Sequence, residues 1–181
     1  MDILDSSLYL SNDDIYLLGN GNWFRSYEKL GAHPAKAEDG TSGYHFAVWA
    51  PHVQSVHVIG DFNDWDEAAS PLAKSKTGDV WEGFIPGVVA GQLYKFLLVS
   101  HDGEKLYKAD PYAFFAELPP GTASRTADLS GYAWKDEKWM AERSERPMLK
   151  SPLNIFEVHL GSWKRHGNDP QGEPREDGTW S

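Results

Sequence analysis

Val56-His57-Val58-Ile59-Gly60-Asp61-Phe62-Asn63-Asp64-Trp65-Asp66 is the stretch on which the fold turns. An apolar run passes, with no linker, into a glycine and then a polar loop that carries one large aromatic. Val56 and Val58 alternate with Ser55 and His57, the period of a half-buried strand. Gly60 allows a backbone bend that a Cβ would obstruct. Asn63 and Asp64 are turn formers whose side chains bond their own backbone. Trp65 stands among three aspartates and an asparagine, so at least one edge of its indole is expected near water. An indole joins a flat apolar face to one N–H donor, and a pyranose ring presents the matching C–H face and hydroxyl rim. Two readings stay open: a loop that stacks on sugar, or a tryptophan folded back to plug a β-sandwich. The oxygen-bearing side chains also invite calcium. An EF-hand loop, however, needs glycine at its sixth position, where Asp66 stands here. A solvated turn is expected instead, with no metal and no cofactor.

Outward from this loop the chain is a succession of short strands. Tyr44, Phe46 and Val48 alternate with His45, Ala47 and Trp49 until Pro51. Val80 to Ile85 is a third strand, on which Trp81 and Ile85 compete with Val80 and Phe84 for the inward face. Leu93 to Val99 is apolar except for Lys95, as a central strand covered on both faces would be. Asp102-Gly103 signals a hairpin, with Lys105 to Lys108 returning. Strands at this spacing predict a mainly β chain built on an antiparallel β-sandwich of immunoglobulin-like type. Its expected limits are residues 20 and 128, after an N-terminal extension over 1–19 in which Met1 to Asp14 reads as a short helix or tail. A linker with a short charged helix follows over 129–153, and residues 154–181 form a separate segment.

The 181 residues carry a net charge of −10, which repels phosphates and argues against nucleic acid. No apolar run approaches the roughly 20 residues that cross a bilayer, so no membrane partner is expected. Met1-Asp2 opens no secretory signal, and the chain has no cysteine. Both are compatible with a cytoplasmic protein. Eight tryptophans are a surplus that suits carbohydrate binding and equally suits a small β-rich core.

With 27 acidic residues, carboxylate pairs by themselves mean nothing. Glu157 stands out because it sits inside the apolar run Asn154 to Leu160. It reads either as a buried acid, with His159 on its face as partner, or as a catalytic group. Lys95 is an ammonium within an apolar strand, so its head must reach the rim or a partner. It is either a snorkelling surface lysine or a hydroxyl donor beside Trp65. The run 154–160 cannot bury itself behind a proline-bounded linker. It must join the sandwich or open something further, and the second is expected.

Several motifs together resemble the start of bacterial 1,4-α-glucan (glycogen) branching enzymes. They are Lys29-Leu30-Gly31-Ala32-His33-Pro34, Phe46-Ala47-Val48-Trp49-Ala50-Pro51, Gly60 to Trp65, Leu93-Tyr94-Lys95-Phe96, Lys108 to Ala113 and Pro120 to Ser124. Ile155 to Trp163 resembles the first strand of that family's (β/α)₈ catalytic barrel. The resemblance implies an α-glucan-binding sandwich followed by the opening of a truncated barrel. It implies glycogen or another α-1,4-glucan as partner, and the rest of the barrel as the chain's own further partner. By the same resemblance Trp65 and Tyr107 stack on sugar, Lys95 and Thr122 bond hydroxyls, and Asn63 belongs to the binding loop. The family's catalytic carboxylates lie on later barrel strands, so this chain is expected to be inactive alone. The parent enzyme would form α-1,6 branches by transglycosylation. The alternatives are a stand-alone, non-catalytic glycogen-binding module and a debranching-enzyme fragment.

Overall fold

The computed structural model describes residues 4–75, 79–145, 150–152 and 154–159. The chain divides into two compact units, Met1–Leu129 and Ser130–Ser181.

The first unit is a sandwich of two antiparallel sheets. One has the order β1 (Gly31–Lys36), β2 (Ser42–Trp49), β5 (Val80–Pro86) and β4 (Ala73–Lys74). The other runs β3 (Ser55–Gly60), β6 (Leu93–Val99), β9 (Ser124–Arg125) and β8 (Phe115–Ala116), with β7 (Lys105–Lys108) also paired to β6. Period-two patterning decides what lies between them. Tyr44, Phe46 and Val48 of β2 and Trp81 and Ile85 of β5 meet Val56 and Val58 of β3 and Tyr94 and Phe96 of β6. Trp81 donates its indole N–H to the Ala50 carbonyl at 3.0 Å, so burial leaves it no unpaired donor. The competition along β5 has no loser: Val80 packs on the opposite face with Leu30 and Ala47.

That opposite face is covered by the N-terminal segment. Leu10, Leu18 and Trp23 pack against Leu30, Ala47 and Val80. Leu18 lies on the helix α1, Asn12–Gly19, which begins with a capping box between Ser11 and Asp14. Lys29 ties the segment down by donating to the Tyr9 carbonyl and pairing with Asp14. Beneath this cover His45 is wholly buried, its ring nitrogens without hydrogen-bond partners among the described residues. Tyr9 meets it edge-on at 5.0 Å, and the Glu82 carboxylate stands 3.7 Å from Nε2. Burial, with a smaller push from nearby His33, brings its pKa down to about 4, so the imidazole is neutral at pH 7.

The glycine before the loop has a different reason from the one the sequence suggests. Gly60 is fully extended, φ −179°, a conformation open to any residue. What excludes a side chain is space: a Cβ would lie 2.3 Å from the Leu93 carbonyl oxygen of β6.

In the second unit Glu137–Glu142 forms an exposed helix, α2. The expected strand over Asn154–Leu160 does not form: the described residues 154–159 belong to no strand, and Ile155 and Phe156 are exposed. A single strand without a paired neighbour gains too little burial and hydrogen bonding to persist. Glu157 is exposed in turn, which removes the buried-acid reading. The segment Leu160–Ser181 lies outside the described residues.

Candidate carbohydrate-binding surface

The loop after β3 is built by its own polar side chains. Asn63 accepts from the Gly60 amide at 2.9 Å and donates to the Val58 carbonyl at 2.9 Å and to the Ser70 hydroxyl at 3.1 Å. Both of its amide hydrogens are thereby spent inside the loop, so Asn63 shapes the turn. Phe62 turns inward and packs on Phe46, ring centroids 6.0 Å apart. The aromatic that caps the core is therefore Phe62, and Trp65 points elsewhere.

Asp64 and Trp65 both adopt left-handed backbone, φ 52° and 59°. Two consecutive non-glycine residues there are costly, on the order of 1–2 kcal/mol each. The surroundings hold them in place. The Trp65 amide donates to the Gly60 carbonyl at 3.0 Å, and the Asp66 amide to the Asn63 carbonyl at 2.9 Å. Asp61 accepts from the Trp65 indole N–H at 3.1 Å and from the Leu93 amide at 2.7 Å. The indole is thus tied to the first residue of β6 and left 37% exposed.

The register of the second sheet places the remaining predicted residues. Ile59 pairs with Lys95, and Leu97 with both His57 and Tyr107. Lys95 and Tyr107 therefore share the face turned away from the core. Lys95 reaches the rim, and its ammonium donates to the Thr122 hydroxyl at 2.7 Å. The hydroxyl keeps its own proton to donate, and the ammonium keeps two. Tyr107 is 47% exposed and donates its hydroxyl proton to Glu67. The other oxygen of Glu67 pairs with Lys105. The Lys105 ammonium, and then the Tyr107 hydroxyl, hold the Glu67 carboxyl below the usual carboxylate range. Asp61 and Glu67 therefore fasten the two ends of the loop to this sheet. Glu67 carries no mark in the local sequence, because it meets partners 38 and 40 residues away.

The Asp-Pro-Tyr motif serves the interior. Asp110 is buried, accepts from the Tyr94 hydroxyl at 2.6 Å and the Tyr112 amide at 2.7 Å, and its own amide donates to Ser124 at 2.8 Å. Burial raises its pKa against the opposing effect of the Tyr94 bond. Among the described residues no helix is long and apolar enough to cross a membrane.

Comparison with known proteins finds relatives of this chain. Residues 29–113 match the family Carbohydrate-binding module 48 (Isoamylase N-terminal domain). The chain is 52% identical over 178 residues to the 1,4-alpha-glucan branching enzyme GlgB of Butyrivibrio fibrisolvens, covering 98% of this chain and 27% of that protein. It is 43% identical over 155 residues to the 1,4-alpha-glucan branching enzyme GlgB of Bacillus subtilis, covering 86% of this chain and 25% of that one. A solved structure, Klebsiella pneumoniae pullulanase complexed with maltotriose, aligns with 62% of this chain and 11% of its own at 24% identity and a TM-score of 0.45. The chain spans about a quarter of the length of the curated relatives it matches. Residues 29–113 thus match carbohydrate-binding module 48, and over nearly its whole length the chain is similar to the N-terminal part of the 1,4-alpha-glucan branching enzymes.

Proposed function

We propose that the outer face of the second sheet binds α-1,4-glucan, with Trp65 and Tyr107 as stacking platforms and Lys95 and Thr122 as the hydroxyl-bonding pair. The observation that carries this reading is the Trp65 conformation: a bulky residue in left-handed backbone, braced by Asp61, with its indole at the surface. Strain of that kind clusters where a side chain must be presented rather than buried. The Lys95–Thr122 bond supports it by supplying three protons that are unused among the described residues, at one point of the same sheet face. Asn63 acts here through the loop shape it fixes. Surfaces of this kind bind sugars weakly, with Kd of roughly micromolar to millimolar, or about −8 to −4 kcal/mol.

We place this module in a parent 1,4-alpha-glucan branching enzyme. That enzyme cuts an α-1,4 chain, holds it as a covalent glycosyl-enzyme, and rejoins it through an α-1,6 bond. The catalytic carboxylates belong to the barrel, which residues 154–181 would open after a linker over 129–153. The apolar pattern of Ile155–Leu160 supports that assignment. The same reading sets the protein in the cytoplasm, in keeping with a chain that has no cysteine to oxidise.

Calorimetric titration of the chain with maltoheptaose, alongside electrophoresis through glycogen-containing gels, tests the binding reading. Trp65→Ala should lower affinity at least tenfold and leave the unfolding midpoint nearly unchanged. A variant that binds like the parent overturns it.

A further inference from the structure

We infer that Glu67 is a positioning residue for this surface: its two carboxylate oxygens grip Tyr107 and Lys105, and so set the Tyr107 ring as a fixed platform for a glucose unit. The inference rests on the glucan-binding reading above. Lys105 and Tyr107 are two residues apart on β7 and share its outer face, so one carboxylate can straddle both. β7 is a four-residue strand that pairs, among the described residues, with β6 alone, and Tyr107 is half exposed. The hydrogen bond to Glu67 fixes the far end of its ring.

Two consequences follow from which atom gives the proton. The Tyr107 hydroxyl donates to Glu67, so its oxygen faces solvent with lone pairs only, and it accepts from a sugar hydroxyl rather than competing to donate. The pairing with Glu67 also offsets the Lys105 charge next to the ring. Lys105 itself is half exposed and held by the same carboxylate. Glu67 comes from the loop that carries Trp65, two residues further on, so it couples the two aromatic platforms through one short stretch of backbone.

A ring already fixed loses less freedom on binding. Immobilising one such side chain is worth about three- to tenfold in affinity. Maltoheptaose is titrated into the wild-type chain, Glu67→Ala, Glu67→Gln, Tyr107→Phe and the double variant Glu67→Ala/Tyr107→Phe. Glu67→Ala and Tyr107→Phe should each weaken binding about three- to tenfold, and the double variant should bind no worse than the weaker single one. Glu67→Gln keeps a carbonyl to accept from Tyr107 and should recover part of the loss. Unfolding midpoints should stay together, because all the groups involved are at the surface. Wild-type affinity in both single variants, or losses that multiply in the double variant, would overturn the inference while leaving glucan binding in place. No heat of binding from the wild-type chain would take both readings down.

Discussion

Alanine at position 60 tests how the loop is attached. Because φ at Gly60 is −179°, the substitution brings no dihedral strain. Its whole cost is steric. The new methyl would lie 2.3 Å from the Leu93 carbonyl oxygen, 2.9 Å from the Phe62 ring and 3.1 Å from the Tyr94 Cα. Two of these three neighbours are β6 backbone, and a carbon sits roughly 3.3–3.6 Å from a carbonyl oxygen. Relief therefore means moving β3 and β6 apart by about 1 Å where Gly60 faces Tyr94. Overpacking of this kind costs about 1–3 kcal/mol, and the rigid backbone puts Gly60→Ala at the upper end, near 3 kcal/mol. For a domain of this size that lowers the melting temperature by about 10 °C. The same shift pulls Leu93 from Asp61, which holds the indole, so maltoheptaose affinity should fall as well. Gly40→Ala is the control. It has φ +87° with nothing within 4 Å of its Cβ, and should cost only about 1–2 kcal/mol and leave binding alone. Urea unfolding followed by tryptophan fluorescence measures both. If Gly60→Ala is within about 0.5 kcal/mol of wild type, the close approach does not govern this position.

Three further outcomes are expected. Trp65→Gly removes the platform and also relieves a left-handed tryptophan, so binding should vanish while stability holds or rises by up to about 1 kcal/mol; a loss of several kcal/mol in denaturant unfolding would mean the indole is packed for stability. His45 is protonated less readily folded than unfolded, so the unfolded chain takes up protons first and stability falls as pH drops from 6.5 towards about 4. The gap is worth at most about 3 kcal/mol, and His45→Leu should flatten that part of the wild-type profile; parallel profiles would show that another group sets it. Asp110→Ala strands the Tyr94 hydroxyl and the Tyr112 amide in the interior and should cost about 2–4 kcal/mol by chemical denaturation, with Asp110→Asn costing less. Equal losses for the two would mean that burial rather than bonding sets the cost.

How far the fold could be read depended on how local its cause was. The strands at Leu93–Val99 and Lys105–Lys108 have the ends that the apolar run and the Asp-Gly turn predict. β1 escaped because Gly31 and Pro34 argue against a strand, yet it is an edge strand, the place where a proline's missing N–H costs least. The two-residue strands β4, β8 and β9 leave too short a pattern to read. The N-terminal helix lies at Asn12–Gly19, mostly after the stretch 1–14 that reads as a short helix or tail, and its role as cover for Leu30, Ala47 and Val80 is a packing fact. The strand expected at 154–160 has the right composition, but among the described residues 154–159 pair with no strand, and strands are made by neighbours.

For the surface itself, residue types and turn chemistry determined that a loop with an aromatic would follow β3, and that Lys95 would need an exit from its sheet. Folding decided the rest. Phe62 and Trp65 are three residues apart, and only the backbone reversal at Asp64 and Trp65 sends one ring into the core and the other out. Lys95 finds Thr122, 27 residues later, next to the pairing of β6 with β9 that sets Tyr94 opposite Ser124, and Tyr107 on β7 finds Glu67, 40 residues earlier, in the loop after β3. Alternation along a strand is a property of the chain; which side chains meet across strands is a property of the sheet.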